Sequence, residues 1–205
     1  MENTVFERSQ SLDPACNLNR ENELFLSSKA GRRIFLWRNS PSVILGKNQV
    51  AAEEADLRYA EEKNIRIIHR QTGGGAVYQD PGNINYSFIT DLRSDCSLKE
   101  YSFPIIEALS GLGISADFSG RNDILVNGRK ICGTACRIHG SRILVHGCIL
   151  FSVDLHVMEQ VLTPSVHKLA RHGVRSVRSR VMNLHDLLPS MTAESFMDYL
   201  ETALH

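Results

Sequence analysis

Lys130 and Asp123 stand on either side of the dipeptide Asn127-Gly128. Asn-Gly between apolar runs is a strong hairpin signal, because a type I′ turn needs positive φ at both central residues. A two-residue turn pairs Val126 with Arg129 and Leu125 with Lys130. Alternation along the strands then puts Asp123, Leu125, Lys130 and Cys132 on one face. The Cβ atoms of Lys130 and Asp123 become diagonal neighbours, roughly 7–8 Å apart. An ammonium and a carboxylate so placed converge on one ligand or on each other. His146 belongs to the next strand. A three-residue loop near residue 140 sets it opposite Thr134 on the Lys130 face, and a two-residue loop sets it on the other face; both remain open.

Charged residues are mostly exposed, so an isolated Asn-Gly hairpin also reads as plain solvated surface. The run Gly73-Gly74-Gly75 adds a second feature: bare backbone N–H groups that suit an anion such as phosphate. A tight turn or close packing accounts for such a run equally well. It is not a P-loop, since no Gly-Lys-Ser/Thr follows, and Tyr78 stands where a dinucleotide fingerprint needs Gly or Ala. The five cysteines, at positions 16, 96, 132, 136 and 148, are an odd number with no secretory signal ahead of them. They read as reduced thiols of a cytoplasmic protein, not as a disulfide framework. Cys132 and Cys136 have no second half-site, so a structural zinc is not expected.

Around these residues the chain reads as one domain, residues 1–205, with α+β organisation. Its 205 residues are long enough to bury about 70% of the unfolded surface. Helices are expected at 16–29, 51–63, 98–112, 154–161 and 192–204. Strands are expected at 33–37 and 42–45, joined as a hairpin by Asn39-Ser40-Pro41, at 65–68, 84–89, 114–118 and 143–153, and as a hairpin over 124–131; an apolar stretch at 76–78 follows the glycine run. Strand pairs mixed with helices, without regular βαβ alternation, favour an α+β sandwich over a doubly wound parallel sheet. Lys plus Arg and Asp plus Glu are 23 each, so the formal net charge is zero and the footprint of a general nucleic-acid binder is missing. No apolar run approaches ~18 residues, so no membrane span is expected.

Taken together, the motifs are more specific than any one of them. His69-Arg70-Gln71-Thr72-Gly73-Gly74-Gly75-Ala76-Val77-Tyr78, followed by Asp80-Pro81-Gly82-Asn83, resembles the signature of lipoate–protein ligases. So do Ser119-Gly120-Arg121-Asn122-Asp123, Gly128-Arg129-Lys130-Ile131-Cys132-Gly133-Thr134-Ala135, His146-Gly147-Cys148-Ile149-Leu150, and residues 176–184. The similarity runs from about residue 12 to 190.

That resemblance implies the catalytic-domain fold shared by lipoate and biotin ligases: a large mixed β-sheet with a smaller sheet, flanked by helices. It implies that lipoate and ATP, with Mg²⁺, form lipoyl-adenylate. The acyl group then passes to a lysine of a lipoyl domain or a glycine-cleavage-type carrier protein. Lys130 is implied as the catalytic cation. Arg70 and the 73–75 backbone are implied along the adenylate and the acyl chain. Asn83 and Asp123 are implied on the nucleotide side, with Asp123 toward Mg²⁺. Gly133, Thr134, Ala135, His146, Gly147 and Cys148 flank an acyl tunnel in the same comparison, with Ala76, Val77, Tyr78 and Ile149 against the chain.

The sequence departs from the family pattern in three respects. The accessory domain of longer ligases is not represented, which leaves a separate accessory subunit, a self-sufficient short enzyme or a transfer-only domain. Cysteines occupy positions 132, 136 and 148. Asn19 and Arg20 replace small apolar residues in the first helix. Two alternatives stand beside the ligase reading: an octanoyl or lipoyl transferase working through a Cys thioester, and a non-catalytic lipoyl-binding subunit. A biotin ligase is disfavoured because Gly-Arg-Gly-Arg is absent.

Overall fold

A computed structural model describes residues 4–27, 31–93, 97–120, 122–163 and 180–205. Arg121, Cys96 and residues 176–179 of the motifs above lie outside these. Ten strands form two sheets. The larger has the order β1 (Thr4–Arg8), β2 (Arg32–Trp37), β6 (Asn83–Asp91), β10 (Arg142–Leu150), β9 (Arg129–His139), β8 (Asp123–Val126) and β7 (Asp117–Ser119). Only its β1–β2 pair is parallel. The smaller sheet has the order β4 (Arg66–His69), β3 (Ser42–Leu45) and β5 (Val77–Gln79), with β3 and β4 parallel.

The expected hairpin over 33–45 does not form, because β2 joins the large sheet and β3 the small one. Asn39 marks the crossing. Its buried amide accepts from Asn17 Nδ2 at 2.8 Å and donates to Gln79 Oε1 at 2.6 Å, ties that a surface turn would leave to water.

Helices α4 (Leu98–Gly111) and α6 (Ala193–Ala203) pack on one face of the large sheet, around Ile34, Leu36, Tyr86, Ile124, Ile149 and Phe196. Ser97 and Glu100 form a capping box that starts α4. Helix α1 (Pro14–Ser27) packs on the opposite face, where Leu24 and Phe25 meet Phe35, Trp37 and Leu144. Its buried residues Asn17, Glu21, Leu24 and Phe25 follow helical spacing. Asn19 and Arg20 fall on the exposed side, so they leave this packing untouched.

The helix expected over 51–63 is two: α2 (Ala51–Glu54) and α3 (Leu57–Glu62). Ala55 is extended and bridges Leu162, and Asp56 caps α3 by accepting from Tyr59 N at 2.9 Å. Helix α5 (Leu155–Val161) packs with α3 and the small sheet around Val43, Tyr78, Met158 and Val161. Among the described residues no helix is long and apolar enough to cross a membrane.

Candidate functional site

The site grows from the β8–β9 hairpin. Asn127 and Gly128 have φ of 51° and 72°, so the turn is the two-residue type expected, and Leu125 pairs with Lys130. The next pair is Ile124 with Cys132, which leaves Ile131 as an inserted residue in β9. A bulge of this kind reverses the facing of everything beyond it. Cys132 therefore enters the core beside Tyr86 instead of joining Lys130. Gly133 and Ala135 come to the Lys130 face.

The next turn is also two residues long, with His139 opposite Arg142 and Gly140 at φ 56°. His146 pairs with Ala135. A two-residue loop was expected to carry His146 away from Lys130, but the bulge changes the parity a second time and brings it back.

Lys130 Nζ lies 2.7 Å from Asp123 Oδ1, each side chain about one-third exposed. The lysine stands where two cavities meet. The inner one encloses about 120 Å³ and the outer about 520 Å³. Both are bordered by Gly75, Ala76, Val77, Lys130, Gly133 and Cys148. Arg70, Gly74, Thr134, Ala135, His146 and Gly147 border the inner cavity alone, and Tyr78 and Asp123 the outer. Leu150, Met158, Leu162 and Val181 give the outer cavity an apolar wall.

Three expected residues are elsewhere. Gly73 borders neither cavity. Ile149 is fully buried on the opposite face, between Cys132 and Ile84 in the main core, so it is packing and not tunnel wall. Asn83 closes a structural turn. Its Oδ1 accepts from Asp80 N at 2.9 Å and its Nδ2 reaches Cys148 Sγ at 3.0 Å. Asp80 in turn accepts from Gly82 N and Asp154 N, which fastens this turn to the start of α5.

The glycine run is held by its carbonyls. Arg70 Nη2 donates to Gly73 O at 2.7 Å and Gly75 O at 2.9 Å, and Nη1 to Ile44 O at 3.0 Å. Lys47 N donates to Thr72 O at 2.9 Å. Gly74 has φ of 95°, a conformation few other residues adopt. Gly46 presses on Gly74 so closely that a Cβ there would overlap the Gly74 carbonyl. Burial holds the Arg70 guanidinium below its usual range, while the Glu21 carboxylate pulls the other way. Arg70 is therefore engaged with the loop itself.

Several residues of the site were not foreseen. Glu21, on α1, accepts from Ser87 Oγ, and its Oε1 lies 2.8 Å from His146 Nδ1. His146 Nε2 lies 2.9 Å from Thr72 Oγ1, which accepts from Arg70 Nε at 2.9 Å. Gln79 and Asn85 border the inner cavity and are joined at 2.7 Å. Trp37 borders it too, and its buried indole N–H has no partner among the described residues. A signal for part of this set existed: Asn83, Asn85 and Ser87 alternate with Ile84, Tyr86 and Phe88, a polar face on a strand buried from Asn83 to Ile89. Trp37 carries no such local mark.

Nothing among the described residues activates Cys148 as a nucleophile. Burial pushes the Cys148 thiol up to about 12, against the hydrogen bond from Asn83. Both ring nitrogens of His146 are engaged by Glu21 and Thr72, so no base serves the sulfur. A thioester mechanism needs a thiolate.

Comparison with known proteins agrees with this geometry. Lipoate-protein ligase LplJ of Bacillus subtilis (strain 168) is 42% identical over 170 residues, which cover 82% of this chain and 51% of that protein. The chain thus spans about half the length of this relative. A bipartite lipoate protein ligase of Thermoplasma acidophilum, studied with its E2 lipoyl domain, superposes with a TM-score of 0.86 at 26% identity, over 99% of this chain and 82% of that one. Lipoate-protein ligase A bound with ATP gives 0.83 at 26% identity, over 100% and 83%. Residues 13–205 match the family described as the lipoyl protein ligase A/B catalytic domain, and the chain belongs to that family.

Proposed function

We propose that this chain joins lipoate to ATP as lipoyl-adenylate and passes the acyl group to a lysine of a lipoyl domain or a glycine-cleavage-type carrier protein. The observation that carries the reading is the position of Lys130. One cation stands at the junction of a narrow inner cavity and a wider outer one, both of which Gly75 also borders. The reaction needs that layout: an acyl chain on one side, a nucleotide on the other, and positive charge where they meet.

In the first step a lipoate carboxylate oxygen bonds to the α-phosphorus of ATP, and pyrophosphate leaves. Negative charge gathers on the carbonyl and α-phosphate oxygens, and the Lys130 ammonium stabilises it there. Asp123 holds that ammonium in place. In the second step the carrier lysine amine attacks the acyl carbon, AMP leaves, and the amine proton passes to solvent. The apolar wall of the outer cavity suits a flat base, and burying the acyl chain against Val77 and Ile44 contributes roughly 0.8 kcal/mol per CH₂.

Mg²⁺ held mainly by phosphate oxygens needs only one or two protein carboxylates. Asp123, with one oxygen on Lys130 and the other unassigned, fits that role, and the ion would neutralise phosphate charge.

The LplJ and Thermoplasma relatives support this choice of acid and acceptor. Because the Thermoplasma ligase is bipartite, the assay includes an arm with an accessory chain supplied separately. The test is mass spectrometry of a lipoyl domain incubated with this chain, ATP, Mg²⁺ and lipoate. A gain of one lipoyl mass on one lysine is expected. No gain in either arm, with lipoate-dependent ATP–pyrophosphate exchange also absent, refutes the reading.

A further inference from the structure

A chain of buried side chains links α1 to the glycine run: Ser87 and His146 to Glu21, His146 to Thr72, Thr72 to Arg70, and Arg70 to the carbonyls of Gly73 and Gly75. Its proton positions follow from donor and acceptor chemistry. Arginine can only donate, so the Thr72 oxygen accepts from Arg70 Nε. The Thr72 hydroxyl keeps a hydrogen and a second lone pair with which to engage His146 Nε2. A carboxylate only accepts, so His146 Nδ1 carries a hydrogen and donates it to Glu21.

The chain also crosses the molecule. Ser87 and His146 belong to the large sheet, whereas Arg70, Thr72 and the glycine run belong to the loop that follows the small sheet's β4. Glu21 and Thr72 border neither cavity, so they act on a ligand only through His146 and Arg70. In a low-dielectric interior such a network is worth keeping only if complete, because a half-satisfied member costs more than an apolar one.

We propose that Glu21 and Thr72 are positioning residues: by holding the His146 ring between them they orient Arg70, which keeps Gly75 at the wall it shares with Lys130. The kinetic consequence rests on the ligase reading given above; the structural consequence does not.

Thr72→Val removes the hydroxyl at nearly constant shape, and Thr72→Ser keeps it. Three quantities are measured per folded molecule: kcat and KM for lipoate-dependent ATP–pyrophosphate exchange, ¹⁵N order parameters of the Gly73, Gly74 and Gly75 amides, and the ring ¹⁵N shifts of His146. Thr72→Val is expected to lower kcat by about ten- to a hundredfold with a smaller change in KM, as displaced reacting groups do. It should also take the glycine amides from the rigid range near ~0.85 to below ~0.6. The ring ¹⁵N shifts of His146 should move away from the wild-type values, and Thr72→Ser should restore all three.

Glu21→Gln keeps an accepting oxygen and should resemble the wild type, whereas Glu21→Leu should resemble Thr72→Val. This second pair decides the matter if Thr72→Val does not fold. Wild-type order parameters and kcat in Thr72→Val or Glu21→Leu would overturn the proposal. A loosened glycine run in a protein whose wild type shows neither exchange nor acylation of a lipoyl domain, with or without an accessory chain, would uphold the relay and refute the ligase reading instead.

Discussion

Lys130 Nζ sits 2.7 Å from Asp123 Oδ1 across a hairpin in which β9 carries one residue more than its partner. Ile131 is the insertion, and past it Gly133 lies directly across from Asp123. The lysine tip folds over Gly133, the one residue type there with no side chain to obstruct it. The ammonium is thus held by a carboxylate on one strand and by empty space on the next.

Loss of that ammonium should abolish most adenylation. Lys130→Ala is expected to reduce lipoate-dependent ATP–pyrophosphate exchange by on the order of 10²-fold or more. Lys130→Arg should also be poor, since a planar fork does not replace a compact ammonium. Turnover close to normal in Lys130→Ala would remove the lysine from the mechanism.

Gly133→Ala separates position from presence. A Cβ at 133 would come within 2.9 Å of Lys130 Nζ and 3.1 Å of its Cε. The flexible tip can yield, so stability should change by no more than about 0.5 kcal/mol. The displaced ammonium should nevertheless lower exchange at least about tenfold. Denaturant unfolding and exchange assays on the same preparation check both halves; unchanged activity would show that the lysine position is not limiting.

Cys148→Ser should leave adenylation and acyl transfer largely intact, in contrast to a thioester enzyme, whose transfer would stop. The thiols of Cys148 and Cys132 have a separate consequence for stability. Burial raises Cys148 and Cys132 from an ordinary 9.0 to about 12. Between these values the unfolded chain has released its thiol protons while the folded chain retains them. The folded state then binds more protons, so stability falls as pH rises through this window. Urea unfolding from pH 8 upward should show the decline, and Cys148→Ser should make it shallower.

Ile149 and Val77 should part company. Ile149 lies in the main core, so Ile149→Val should cost about 0.5–1.5 kcal/mol of stability and leave KM for lipoate unchanged. Val77 borders both cavities. Val77→Ala should raise KM for lipoate several-fold, in line with roughly 0.8 kcal/mol per buried CH₂ lost. A KM effect from Ile149→Val would place it back at the ligand.

Local chemistry settled a good deal without any coordinates. The Asn127-Gly128 turn requires positive φ at two adjacent positions, and few residue pairs allow that, so the hairpin and the Leu125–Lys130 pair were legible. Leu18, Leu24, Phe25 and Leu26 set in a polar, acidic stretch marked α1 for the same reason: helical period is a property of neighbouring residues. The ordered motifs around Arg70, Lys130 and His146 likewise pointed to the family by themselves.

What only the tertiary structure decided depends on partners far along the chain. The bulge at Ile131 has no sequence mark, since its cost is offset by packing against the core, yet it sends Cys132 inward and keeps His146 and Lys130 on one face. The strands β2 and β3 part because Asn39 finds buried amides at positions 17 and 79, which proximity in sequence cannot reveal. The role of Glu21 emerged only when folding set it against Ser87 and His146. A buried carboxylate is defined by what surrounds it, and those surroundings are assembled from stretches of backbone far apart in the chain.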